Sequence, residues 1–269
     1  MKIGLQVYSI RNEATDDFAA AMQQVKAMGY DGVEIASRYG LTAKQMKAIA
    51  DEIGLEIISA HAPMQEMETN PKEAFSFYRE VGCRYVAVPW MPKTDDAAVF
   101  DERIERIRSL GMKAKEEGIQ LLYHNHDFEF VKFDGEYGLD KLYRVIEPEY
   151  LEPELDTCWV KVADEDPAEY IKKYSGRTPI IHLKDFYMED DADKEGMYEL
   201  IGVEKRASAR SSFEFRCVGH GKQHFPSIIE AAKESGAEWL IVEQDNPSQG
   251  LTPMECADIS RKYLKSIGL

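Results

Sequence analysis

Cysteine is scarce and scattered: four residues in 269, at 83, 158, 217 and 256, with no C-x-x-C pair among them. That argues against a zinc ribbon or a dithiol redox motif and fits a reducing cytosol. No apolar run reaches the roughly 18 residues of a membrane span. The opening "MKIGLQVYSI" is too short and polar to read as a signal peptide. Basic residues are outnumbered, 33 Lys and Arg against 49 Asp and Glu, a formal net charge of −16. No local basic patch offsets that field, so nucleic acid and anionic membranes are disfavoured partners. A domain linker and low-complexity segments are also missing. What remains is a chain with 44% hydrophobic residues, ordinary for a globular protein.

Short apolar runs alternate with amphipathic stretches. The runs at 2–7, 31–35, 56–61, 85–89, 119–126, 152–156, 179–184 and 239–243 read as strands. Helices are expected at 17–28, 42–53, 99–117 and 254–266, among others. Several stop at a glycine just before the next strand, as in "MGYDGVEI", "IGLEII", "EEGIQLLY" and "SGAEWLIV". Eight strand–helix units over one chain predict an α/β fold, a single (β/α)8 TIM barrel spanning 1–269. A doubly wound open sheet is the weaker alternative, because no G-x-G-x-x-G follows the first strand. The long charged segment 187–216 reads either as a solvated loop or as a lid over the barrel mouth.

Six histidines are present, and none falls in an expected helix. His61, His124 and His126 end or follow strands, His182 lies in the seventh, and His220 and His224 sit in "VGHGKQHF". Barrel active sites are built at the C-terminal strand ends. In "LLYHNHDFEF" an apolar strand ends on two histidines two residues apart, a spacing that aims both to one face. Asp156, Glu243 and Glu34 end strands at the same level. A carboxylate at the mouth of a dry barrel is costly unless paired or bound to a metal. His124, Asp156, His182 and Glu243, from four successive strand ends, can surround one divalent ion. The other reading is an ion-paired network without metal. Mixed imidazole and carboxylate ligands suit Mn²⁺, Zn²⁺, Co²⁺ or Fe²⁺ better than Ca²⁺.

The motifs "LQVYSIR" at 5–11, "GYDGVEI" at 29–35, "ISAHAP" at 58–63, "ELDTCW" at 154–159, "IIHLKD" at 180–185, "VGHG" at 218–221 and "IVEQDN" at 241–246 occur in an order that resembles the xylose isomerase-like (β/α)8 barrel family. That family includes sugar isomerases and epimerases, inosose dehydratase and the endonuclease IV type. The resemblance implies one divalent metal, Mn²⁺ first, with Zn²⁺, Co²⁺, Mg²⁺ or Fe²⁺ as alternatives. It implies a small carbohydrate substrate and a homodimer or homotetramer. Asp156, His182 and Glu243 match three of the family's ligands. His124 stands where the family often carries Glu ("HNH" for "ENH"), and His220 replaces a carboxylate of "GEG". Trp159 stands where the epimerases carry His.

These departures leave fewer carboxylates for two-faced epimerisation. The expectation is a sugar or sugar-phosphate isomerase or epimerase acting through an enediolate. The alternative is a lyase or dehydratase of a keto-sugar, keto-glycoside or keto-inositol. A DNA-repair endonuclease is disfavoured by charge, and a non-catalytic sugar binder is a further class. Glu243 is expected to move the proton, with His126 or Glu34 as second base. Substrate contacts are expected from His61, Glu34, Lys184, Trp90, Trp159, His220 and Arg11. Lys184 could instead pair with Asp185, Arg11 and Gln6 could form a buried bridge, and the tryptophans could simply pack. Arg206 and Arg210 could hold a phosphate or lie solvated.

Overall fold

The computed structural model describes residues 1–189 and 213–269. Its barrel strands are β1 (Lys2–Gln6), β2 (Gly32–Ile35), β3 (Glu56–His61), β4 (Tyr85–Val88), β5 (Gln120–His124), β6 (Glu152–Asp156), β7 (Ile180–Leu183) and β8 (Trp239–Val242). Each pairs with its sequence neighbour, and β8 closes on β1 in parallel, Lys2 opposite Trp239 and Leu5 opposite Val242. The fold is a closed eight-stranded parallel barrel surrounded by helices. All eight expected strands are present. The fifth is shorter than the sequence pattern suggested: it stops at His124, and His126 lies in the loop beyond it.

The helices start and stop on local signals. Thr42 and Gln45 form a capping box ahead of Ala43–Ile53, and Thr252 and Glu255 form another ahead of Pro253–Ser266. Gly29 and Gly54 end their helices with φ of 95° and 76°, a left-handed conformation in which a Cβ would be strained. The outer faces of the strands and the inner faces of the helices make one large apolar core.

The barrel interior is layered. At its base Ile58, Tyr85, Ala87, Leu122, Ile180, Trp239 and Ile241 form a separate apolar plug. Strand side chains alternate with a period of two. The residues two and four beyond that plug are therefore the next to enter the barrel: His124 after Leu122, His182 and Lys184 after Ile180, Glu243 after Ile241. Glu154 and Asp156 follow the same alternation on β6. Chemistry thus starts one layer above the plug.

A short antiparallel ribbon, Asp185–Tyr187 paired with Glu214–Arg216, stands beyond β7. Phe186 and Phe215 of this ribbon, and Phe213 just before it, pack with Trp159. Most of the segment expected as a lid, with Arg206 and Arg210, lies outside the described residues. Among the described residues no helix is long and apolar enough to cross a membrane.

Candidate metal centre and cavity

Four histidines converge. Ring centroids are 4.8 Å apart for His61 and His124, 4.6 Å for His124 and His182, and 5.3 Å for His124 and His126. His220 and His224 do not join them; both are exposed on the loop that follows the ribbon. His124 and His182 divide their nitrogens between two groups of carboxylates, one above the other.

The upper group is His124, Asp156, His182 and Glu243. His182 Nδ1 lies 3.0 Å from Glu243 Oε2, and His124 Nε2 lies 3.6 Å from Asp156 Oδ2 and 3.8 Å from Glu243 Oε2. With metal–ligand bonds of about 2.1 Å, neighbouring ligand atoms stand roughly 3.0–3.4 Å apart. The observed spacings bracket that range closely enough for small side-chain adjustments to close the shell. Asp156 Oδ1 accepts the backbone amides of Cys158 and Trp159, so the helix Thr157–Val162 holds the carboxylate in place. Its other oxygen, Oδ2, is buried and accepts no hydrogen bond.

The lower group is His61, His124, Glu154 and His182, with Glu34 beside them. Its spacings are those of hydrogen bonds. His61 Nε2 lies 2.6 Å from Glu154 Oε1, and Gln6 Nε2 donates to Glu34 Oε1 at 2.6 Å. Ser59 donates to the other Glu34 oxygen. At 2.6 Å the His61 and Glu154 atoms stand closer than neighbouring ligands of one ion, so the upper group is the better metal cage.

Charge supports the same division. Burial pushes Asp156 up to about 7, with Glu243 adding to the rise. Burial also opposes ionisation of Glu34 and Glu243, but it loses in both. His61 and His182 hold Glu34 well below the carboxylate range, and Lys184 and His182 do the same for Glu243. His182 is held well above the imidazole range against its burial by Glu154 and Glu34, and His61 is raised to about 10 by the same pair. The barrel attracts cations, and a divalent ion at the upper group would take the place of a proton on His182. Lys184, 1% exposed, supplies one fixed positive charge. Its Nζ lies 2.9 Å from Asp245 Oδ2, 3.4 Å from Glu243 Oε2 and 3.6 Å from Asp156 Oδ2.

Above the centre opens a cavity of about 180 Å³, whose walls include His61, Trp90, His124, His126, Lys184, Glu243, Asp245 and Tyr8. Trp90 is 36% exposed at the mouth. Glu34 and Trp159 lie behind this wall. Trp159 is fully buried against His126 and beneath Lys184. Arg11 is turned away from it as well: its guanidinium donates to the backbone oxygens of Asp245 and Tyr8 at 2.8 and 2.9 Å and stacks on the Tyr8 ring. Arg11 thereby steadies the loop after β8.

Sequence reasoning passed over three residues. Glu154 carried a signal, since it sits two residues before Asp156 and so shares its inward face. Asp245 carried little, because the loop after β8 has no period to read. A third, Glu129, accepts the His126 backbone amide at 2.7 Å and the Tyr123 hydroxyl at 2.6 Å, which ties down the loop bearing His126.

The pattern of one known family matches residues 22–267, that of the xylose isomerase-like TIM barrels. The chain belongs to that family. Among its relatives is an inosose dehydratase of Lacticaseibacillus casei, 28% identical over 92% of this chain and 88% of that protein. The fold matches a solved sugar phosphate isomerase/epimerase from Parabacteroides distasonis with a TM-score of 0.80, at 23% identity over 99% of this chain and 94% of that one. It also matches the crystal structure of an IolI protein with a bound zinc atom, TM-score 0.73, 15% identity, over 99% and 98% of the two chains. Family membership accounts for the placement of the centre at the C-terminal end of the barrel strands, where the helix-side loops leave an opening.

Proposed function

We propose that this protein is a metal-dependent dehydratase that removes water from a small polyhydroxy ketone of the keto-inositol type. The relationship to inosose dehydratases supports this reading over the isomerase or epimerase that the motifs first suggested. The observation that carries it is the number of free proton carriers on the cavity wall. Epimerisation through an enediolate needs one on each face of the substrate. Among the described wall residues, His61 is tied to Glu34 and Glu154, Glu243 to His182 and Lys184, and Asp245 to Lys184. His126 alone keeps a buried ring nitrogen, Nδ1, with no hydrogen-bond partner.

A divalent ion held by His124, Asp156, His182 and Glu243 would supply Lewis-acid polarisation of the ketone and the adjacent hydroxyl. His126 is kept neutral by burial and by the positive charge of Lys184. As a neutral imidazole it takes the proton from the carbon next to the carbonyl. The C–O bond at the neighbouring carbon breaks, a C=C bond forms, and the leaving hydroxyl receives the proton from the His126 imidazolium and departs as water. The same burial that lowers the affinity of His126 for a proton makes its imidazolium a ready acid. Glu243 is held anionic and serves to bind, with one oxygen, Oε2, directed to His182 and Lys184. Trp90 and Tyr8 give the ring an apolar face to lie against.

The test is product analysis. Protein reconstituted with Mn²⁺, Zn²⁺ or Co²⁺ is incubated with inososes and ketoses, and products are weighed by mass spectrometry. Loss of one water from an inosose supports the reading. A product of unchanged mass points to isomerisation, and no turnover of any inosose rejects the substrate class.

A further inference from the structure

His124 and His182 are each two-sided. A neutral imidazole has one N–H and one lone pair, and whichever nitrogen holds the proton cannot bind a metal. A ligand histidine in a dry barrel therefore needs its tautomer chosen for it. The lower group is placed to make that choice. His124 Nδ1 lies 3.2 Å from Glu154 Oε1, on the side away from Asp156 and Glu243. His182 Nε2 lies 3.1 Å from the same oxygen and 2.9 Å from Glu34 Oε1, on the side away from Glu243. His61 Nε2 reaches that oxygen too, at 2.6 Å. Three imidazoles from β3, β5 and β7 thus face one carboxylate oxygen on β6. Glu154 is fully buried, and its second oxygen has no hydrogen-bond partner. Its negative charge is committed to the histidines.

We propose that Glu154 is a positioning residue for the metal centre, holding the proton on His124 Nδ1 so that His124 Nε2 remains free as a ligand. This rests on the reading of the upper group as a divalent-metal site. The reversed His124 tautomer would aim an N–H at Asp156 and Glu243 and close the cage to a cation. Glu34 lies 2.9 Å from His182 Nε2, with no hydrogen bond between them, and does not contact His124, whose tautomer depends on Glu154. A carboxylate behind a ligating histidine also raises the basicity of the ring, and removing such a partner typically costs 10–100-fold in metal affinity.

Glu154→Gln tests this with little change of shape. A glutamine can turn its amide N–H toward His124 Nδ1 and stabilise the wrong tautomer. Zn²⁺ affinity is measured by competition with a chromophoric chelator, and ring protonation by long-range ¹H–¹⁵N spectra of histidine-labelled protein. Wild type with Zn²⁺ should show His124 protonated on Nδ1. Glu154→Gln should bind Zn²⁺ 10–100-fold more weakly, and its metal-free form should show a mixed His124 tautomer. Glu34→Gln should leave the His124 tautomer as in wild type. Unchanged Zn²⁺ affinity in Glu154→Gln overturns the role, as does a wild-type spectrum with His124 protonated on Nε2, which decides the matter even if the variant folds poorly. If wild type binds no stoichiometric Zn²⁺, Mn²⁺ or Co²⁺, the metal site falls and this role falls with it.

Discussion

Asp156 is asked to do two things with its two oxygens, and substitution can separate them. Oδ1 caps the helix Thr157–Val162; Oδ2 is the buried, unpartnered oxygen that faces the metal cage. Without metal the ionised carboxylate is a burden on the fold. Raising its pKa from the ordinary 3.8 to about 7 corresponds to roughly 4 kcal/mol. The folded state holds the proton more tightly than the unfolded one, so stability declines as pH rises from about 4 to about 7. The whole cost is present above that range. Asp156→Asn removes the charge and keeps an oxygen for the cap. The metal-stripped variant should therefore melt higher than stripped wild type at pH 8, by roughly 5–10 °C for a chain of this size. The gap should narrow at pH 5. Asp156→Ala should gain less than Asn by about 1 kcal/mol, the usual worth of an N-cap. Adding Zn²⁺ or Mn²⁺ should raise the melting temperature of wild type, by the equivalent of about 4 kcal/mol at a thousand times Kd, and leave the variants where they were. Calorimetry or circular dichroism at the two pH values reads all of this. A stripped Asn variant that melts at or below wild type at pH 8 refutes the account of a buried carboxylate whose charge Lys184, 3.6 Å away, does not balance.

Three further outcomes are expected. His126→Asn should lower kcat by about 10²–10⁴, the usual worth of a positioned proton carrier, with Zn²⁺ affinity nearly unchanged; steady-state kinetics beside a metal titration checks both, and a rate near wild type moves the proton transfer to Glu243. Glu129→Ala frees the loop bearing His126 and should cost kcat more than metal affinity; equal losses in both would show that the loop supports the metal cage instead. Cys217 and Cys256 have their sulfurs 2.9 Å apart, so a mild thiol oxidant such as diamide should remove two of the four titratable thiols; four thiols remaining after treatment would show that the pair cannot close to the roughly 2.05 Å of a disulfide.

Much of the candidate metal centre could be read along the chain because the relevant rules are local. A strand shows alternate residues to the barrel interior, so an apolar run that ends on His or Asp announces what will stand at the mouth. That rule placed His124, Asp156, His182 and Glu243 on four neighbouring strands, and the structure gathers the four. The helix terminators at Gly29 and Gly54 were legible for the same reason, since a left-handed residue is required within one turn. Local rules do not extend to depth or to loops. His61, His124, Glu34 and Glu154 all sit on strands, but only the stagger of the closed barrel sets which of them meets which. The partition into a tighter lower group and a more open upper cage is set by how strands distant in sequence are brought together. His220 and Arg11 looked like site residues from their motifs. Backbone contacts direct Arg11 to the loop after β8, and the turn that the His220 amide closes on the Cys217 carbonyl leaves the His220 side chain in solvent. Cys217 and Cys256 gave no sign of each other across 39 residues, because only the docking of the last helix against the loop after the ribbon joins them. Ligand chemistry was carried by residue type and a period of two. Hydrogen-bond partners and charge balance are set by distances that exist only once the barrel has closed.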